Sequence, residues 1–361
     1  MQVSRTAFAA VQAGVPVVLV GEYGIGKTTI SLEFAEFVER EVLHFKLVGA
    51  RTEDLIGYPS IVEANGQKFT KNIQHEWVSL LQEKPCIVIF DDVSRVDEYV
   101  QNAIAQFLDK ELGQYKISNN TWFLLSMNKY GQGTYMLNEN LISRCIFYEC
   151  DTDAREEERA LLTGMYNTET YFKKIPNNWN KFSTEARALL LAFYKKRPSI
   201  FRDTANKTRN SPWVCPRAIH RLTIPALAAS FSCGYRSPED IRSVLTAGLG
   251  SAFAEEFISW YVNRDLPDVE VIIQNLVSDN HEFFSKYEKD AALFISIFTE
   301  IYTYLSNLQD NAYAEQVVKR AYKVLERIES TELVSYCLYL FKQRFSVPMP
   351  YRLTKVLEGI L

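Results

Sequence analysis

The sequence predicts an α/β fold: a parallel sheet covered on both faces by helices over residues 1–152, a helical region over 153–265 and a separate helical tail over 266–361. Three observations carry this. Short apolar runs at 15–20, 43–48, 86–91, 121–127 and 145–150 alternate with helical patterns only in the first region. Beyond residue 153 the strand signals fade into helices with polar connectors. In the tail, Phe294, Phe298, Ile301, Leu305 and Leu308, then Ala314, Val317, Val318, Ala321, Leu325 and Ile328, recur at helical spacing.

The elements follow in order. The opening MQVSRTAFAAVQAG is short and mixed, and reads as a helix running into the first strand rather than as a leader. Asn65-Gly66 between SIVEA and QKFTK signals a type I′ hairpin, and a second hairpin is expected around 112–116. Val100, Ala103, Ile104, Phe107 and Leu108 form one helix face. Ser237-Pro238-Glu239-Asp240 combines a capping serine, a proline at the first helical position and acids in the first turn, so a helix starts there. Residues 196–215 read as a long loop and 346–352 as an extended strap.

Composition narrows the function classes. An apolar content of 47% in 361 residues supports two or three cored domains. A net charge of −4 gives no global basic field and argues against nucleic acid as the partner. The six cysteines are scattered and read as reduced packing residues of a cytoplasmic protein. His44, His75, His220 and His281 lie far apart, without metal-ligand spacing. No apolar run approaches the length of a membrane span.

The chemistry is concentrated in GEYGIGKTT, residues 21–29, between an apolar strand and a helical run. That context is the one a phosphate-binding loop requires. Gly21, Gly24 and Gly26 permit close backbone approach, and the amides of 24–28 at a helix start can hold phosphate oxygens. Gly21, Tyr23, Gly24, Ile25, Gly26, Lys27, Thr28 and Thr29 are therefore the expected nucleotide-binding set, ATP and Mg²⁺ the expected ligands. Lys27 would reach the β- and γ-phosphates, and Thr28 would ligate Mg²⁺. Asp91, at the end of CIVIFDD, is a second metal candidate, and Asp92 is placed to polarise an attacking water. Asn128 ends the strand FLLSMN and could orient that water. Arg144, after the short helix of LNENLISRC, is expected at an exposed domain edge, where it can stabilise transition-state charge on a neighbour's nucleotide. Arg217, in the first turn after Pro216, is a cation where the helix dipole disfavours one, which marks it as a γ-phosphate sensor; Arg221 competes for that role.

Taken together these stretches resemble AAA+ ATPases of the MoxR/dynein-related type. GEYGIGKTT matches the family's Walker A, CIVIFDD its Walker B, Asn128 its sensor 1, Arg144 its arginine finger and Pro216-Arg217 its sensor 2. GARTEDLIGYP is similar to the segment before the clade's inserted hairpin, and GTYMLNENLISRC to the segment before its finger. The likeness covers about residues 1–265, with a looser one in FISWYVNRDLPDVEVI. It implies a P-loop AAA+ core, a helical lid and a helical C-terminal extension. It also implies a ring, usually a hexamer, with ATP between subunits, Arg144 acting in trans, and pore-side hairpins near 60–71 and 112–118. Members of the family remodel protein targets, often with a von Willebrand factor A-domain partner. Two positions depart from the pattern. Asp92 stands where the family has glutamate, one methylene longer, so slow hydrolysis or an ATP-dependent switch is the alternative function. Tyr23 replaces a common proline and is expected to matter little. A nucleic-acid motor rests only on Lys195, Lys196, Arg197, Arg202, Lys207 and Arg209, against one acid, Asp203; a solvated loop is the favoured account of these.

Overall fold

The computed structural model describes residues 3–64, 67–112, 115–129, 134–152, 154, 158, 161–162, 171–201, 211–308, 310–342 and 344–359. In chain order the first part runs α1 (Arg5–Gln12), β1 (Val17–Gly21), α2 (Lys27–Phe37), β2 (Glu41–Lys46), α3 (Thr52–Ile56), β3 (Tyr58–Ala64), β4 (Gln67–Ile73), α4 (Trp77–Glu83), β5 (Cys86–Asp91), α5 (Glu98–Leu108), β6 (Glu111–Leu112), β7 (Tyr115–Lys116), β8 (Trp122–Asn128), α6 (Glu139–Ile142) and β9 (Ile146–Glu149). Helices follow: α7 (Ser183–Lys196), α8 (Ile224–Ser232), α9 (Pro238–Leu249), α10 (Ser251–Asn263), α11 (Val269–Val277), α12 (His281–Ser285), α13 (Ala291–Asn307), α14 (Asn311–Arg327), α15 (Thr331–Lys342) and α16 (Tyr351–Glu358). The chain divides into two compact units, Met1–Trp179 with Thr204–Glu255, and Asn180–Asp203 with Glu256–Leu361.

The first unit is an α/β domain. Its sheet has the order β2-β5-β8-β1-β9, every neighbouring pair parallel. The central strands are apolar without alternation because helices cover both faces: Ile87, Val88, Ile89 and Phe90 on β5 and Phe123, Leu124 and Leu125 on β8 are all buried. One side of the sheet holds a core of Val18, Val88, Phe90, Phe123 and Leu125, closed by Val100, Ile104 and Phe107 of α5. That helix starts where Asp97 accepts the Val100 amide. Ser237 and Asp240 cap α9 reciprocally, as the sequence pattern requires. The two short antiparallel pairs, β3 with β4 and β6 with β7, form where hairpins are expected; the Asn65-Gly66 turn itself lies outside the described residues.

The helix that begins at Pro216 is wound wide, as a π-helix, over Ala218–Thr223 before α8. Pro225 explains the local geometry: it has no N–H for the usual bond to residue 221, and a wider turn relieves the clash of its ring. In the second unit, Phe294, Phe298, Ile301 and Leu305 of α13 meet Val317, Val318, Ala321 and Leu325 of α14 and Cys337, Leu338 and Phe341 of α15 in one core. Phe298 and Phe341 meet edge-on at 6.3 Å between ring centroids. The strap expected over 346–352 is shorter: α16 begins at Tyr351, immediately after Pro350, whose fixed φ suits a helix start.

Candidate active site

β1 delivers the glycine loop at the carboxyl edge of the sheet. The three glycines are required for two different reasons. Gly24 and Gly26 have φ of 74° and 94°, which L-residues rarely adopt. Gly21 is needed for space, since a Cβ there would stand 2.5 Å from Ile25 Cδ1 and 2.7 Å from the Cys150 carbonyl. No side chain caps α2, and its first turn carries no acid. Its leading amides and positive dipole end thus suit an anion. Tyr23, Gly24 and Thr29 are exposed, Ile25 and Thr28 partly so.

Lys27 is buried, and its Nζ donates to the Gly21 carbonyl at 3.0 Å, the Glu22 carbonyl at 2.7 Å and Asn128 Oδ1 at 3.0 Å. Burial pushes its pKa down, opposed by Cys150, Asp92 and Asp91. An incoming phosphate offers this desolvated ammonium a full countercharge.

Strand order brings the other groups to Lys27. β8 lies between β5 and β1, and Asn128 is opposite Gly21 in register. Asp91 Oδ1 accepts from Thr28 Oγ1 at 2.9 Å and from Ser126 Oγ at 2.5 Å. His44 Nε2 stands 3.8 Å from Asp91 Oδ2. Asp92 has a left-handed backbone, φ 69° and ψ 52°, and its amide donates to Ser126 Oγ at 3.0 Å. Asn128 Nδ2 donates to Asp92 Oδ1, which also accepts from Ser94 Oγ at 3.4 Å. Burial pushes the Asp92 carboxyl up; Arg95 opposes that and Asp91 adds to it. Thr28, Asp91, Asp92, Asn128 and Lys27 thus meet at one place, joined by direct hydrogen bonds. The residues fit a Mg²⁺–nucleotide: Thr28 and Asp91 would hold the ion, which takes one or two protein ligands and completes its shell with phosphates and water. Among the described residues no group of three His, Cys, Asp or Glu could hold a metal by itself.

Sequence reasoning missed Ser126, Ser94 and Arg95. Ser126 was findable, because it lies two residues before Asn128 and so on the same face of β8. Ser94 and Arg95 lie in the turn behind Asp92, whose left-handed bend no pattern announced.

Arg144 and Arg217 form a second group. Arg144 is not the freely exposed edge residue expected: its side chain is 15% exposed because Asp109 Oδ2 accepts from Nε at 2.8 Å and from Nη2 at 2.5 Å. Its Nη1 donates to the Asn140 carbonyl at 2.8 Å. Arg217 Nη1 donates to Ser143 Oγ at 3.4 Å. Arg144, Arg217, Arg221 and Lys110 line a hollow of about 410 Å³ with Asp109 and Glu111. Lys110, pushed down to about 7 by burial and by Arg40, donates to the Thr121 carbonyl. Among the described residues no hydrogen bond or ion pair ties Arg217 to residues 21–29; its partner is the neighbour of Arg144.

Residues 16–145 match the family model of the AAA domain, dynein-related subfamily. Among solved structures, a candidate ATPase from Cytophaga hutchinsonii ATCC 33406 aligns at 19% identity over 72% of this chain and 87% of its own, with a TM-score of 0.45. A full-length MCM homologue from Methanopyrus kandleri aligns at 15% identity over 71% of this chain and 53% of its own, with a TM-score of 0.36. No curated protein matches the chain. The matched span holds the glycine loop, both acids and Asn128 on one parallel sheet; with that arrangement around Lys27, residues 16–145 form an AAA domain of the dynein-related subfamily.

Proposed function

We propose that this chain binds and hydrolyses ATP as one subunit of a homo-oligomeric ring, taken as a hexamer, and uses the cycle to remodel a protein client. The observation that carries the proposal is the bonded group Thr28–Asp91 and Lys27–Asn128–Asp92 at the mouth of an uncapped helix. The loop amides and Lys27 bind the β- and γ-phosphates. Bound through Thr28 and Asp91, Mg²⁺ supplies charge neutralisation. Asn128 orients a water and Asp92 accepts its proton as it attacks the γ-phosphorus, while the bond from that phosphorus to the β–γ bridging oxygen breaks and ADP leaves with the electron pair.

Arg144 acts on the nucleotide of the adjacent subunit, exchanging Asp109 for phosphate. Arg217 keeps the role of γ-phosphate sensor. Its place beside Arg144 supports assigning it, with Arg221 as reserve, to that same neighbouring nucleotide. Residues 1–152 are the core, 153–265 the lid and 266–361 an extension that serves the client or a von Willebrand factor A-domain adaptor. No described helix is long and apolar enough to cross a membrane, and cytoplasmic action is part of the proposal.

The test is steady-state ATP turnover against protein concentration. Specific activity that rises and saturates supports a shared site, and Arg144→Ala then lowers kcat by about 10³-fold. Turnover independent of concentration refutes action in trans. One observation favours a second reading, an ATP-dependent switch with negligible turnover: Asp92 is short and tightly bonded. On that reading Asp92→Glu raises the rate, and an unchanged or lower rate removes it.

A further inference from the structure

Asp92 is held unevenly. Asn128 and Ser94 both bond Oδ1, and among the described residues no hydrogen bond reaches Oδ2. The group standing over Oδ2 is Arg95. A tight turn puts it there: the Arg95 amide donates to the Asp92 carbonyl at 2.9 Å, folding the chain back over the acid. Arg95 Nε lies 3.7 Å from Asp92 Oδ2. It is buried and makes no hydrogen bond among the described residues. A charge-assisted bond spans about 2.7–2.9 Å, so an approach of under about 1 Å would complete one. The other end of the same guanidinium reaches the phosphate-binding loop. Nη2 donates to Tyr23 Oη at 3.0 Å, and the guanidinium carbon lies 5.3 Å from the centroid of that ring.

We propose that Arg95 is a positioning residue that couples the phosphate-binding loop, through Tyr23, to the free oxygen of Asp92. The coupling rests on the ATPase reading and deepens it. Tyr23 moves with the amides that wrap the phosphates, so filling the loop shifts Arg95 and completes the bond from Nε to Oδ2. Asp92 is then fixed by both oxygens, as an aspartate in a glutamate's place needs, because productive geometry tolerates errors of only about 0.5 Å. Tyr23 thereby gains a role that its exposed position in the loop did not suggest.

The experiment measures kcat, KM and equilibrium ATP affinity for the unmutated chain, Arg95→Ala, Arg95→Lys, Tyr23→Phe and the double variant. Misplacement by about 1 Å costs on the order of 10²-fold. Arg95→Ala is therefore expected to lower kcat by about 10- to 100-fold while ATP affinity stays within about threefold, which also shows that the variant folds. Arg95→Lys restores part of the loss, because it returns the charge without the fork. Tyr23→Phe lowers kcat by about threefold alone and by nothing further beside Arg95→Ala, the non-additivity of groups acting through one contact. An unchanged kcat in Arg95→Ala, a loss of affinity that matches the loss of rate, or additive effects of the two substitutions would overturn the coupling and leave the ATPase reading intact. No turnover by the unmutated chain at any concentration would overturn both.

Discussion

At the ends of three adjacent strands, Lys27, Asn128 and Asp92 are joined side chain to side chain, as are Ser126 and Asp91, and the Asp92 backbone amide links the two groups through Ser126 Oγ. In the helical unit, the large buried residues include Phe284, Phe294, Phe298, Phe341 and Tyr322, and the Tyr322 and Ser296 hydroxyls are buried with no hydrogen-bond partner among the described residues. The first region is held by directional bonds, each with a named donor and acceptor. The second is held by area and shape; buried polar atoms without a hydrogen bond occur beside both, Arg95 Nε and His44 Nε2 near the first, Tyr322 and Ser296 in the second. A substitution in the first should be read out in ligand affinity or rate, and one in the second in stability alone.

The strongest attempt to break that comparison is Lys27→Ala. Removing the buried ammonium should weaken ATP binding by at least about 10³-fold, roughly 4 kcal/mol; intact affinity would end both the comparison and the nucleotide assignment. Next is Phe298→Ala in α13, whose ring is fully buried. It should cost about 3–4 kcal/mol by transfer and cavity terms, seen as a lower urea midpoint, with ATP affinity within about twofold. A large loss of affinity would show that the two regions are not separable in this way.

The smallest test sharpens the comparison through pH. Asp240 in α9 bonds Arg5 through both carboxylate oxygens, at 3.0 and 2.8 Å. Burial pushes the Asp240 carboxyl up, but the bonds from Arg5 and Ser237 outweigh it and hold the pKa below the ordinary carboxylate value. A lowered folded pKa means that the stabilisation is present at neutral pH, above the unfolded value. It is lost as pH falls through the carboxylate range toward the folded value. Arg5 is about half exposed, so solvent screening limits the contribution to about 1 kcal/mol. Urea midpoints at pH 7 and pH 3 should therefore differ by less in Asp240→Asn than in the unmutated chain. An equal difference would remove the pair as a source of acid sensitivity.

The same contrast explains what could be read from the sequence. The five strands, Lys27, Thr28, Asp91 and Asn128 were legible because chemistry and burial on both sheet faces dictate residue type at fixed spacing. Ser126 could be placed on the strand face of Asn128, yet its bond to Asp91, like that between Ser94 and the Asn128 amide, depends on β8 lying beside β5, which periodicity along one strand does not state. Arg144 was expected exposed because its partner Asp109 is 35 residues away at the end of α5. The place of Arg217 was hidden for a similar reason: its contact with Ser143 is set by the packing of distant segments. In the tail, the faces of α13 and α14 were legible, but which helices they meet was not.

The wide turn over Ala218–Thr223 bears on how this sequence can change by insertion and deletion. Each residue of an α-helix turns the chain by about 100°. A turn bonded from residue i to i+5 takes up about one residue more than an ordinary turn. Deleting one residue between Arg217 and Pro225 would therefore restore ordinary winding with Arg217 still in register with Ala226, Leu227 and the rest of the buried face of α8, whereas losing a second would rotate one against the other by that angle. This stretch has one residue to give and no more: beyond that, its length is under tighter constraint than its composition.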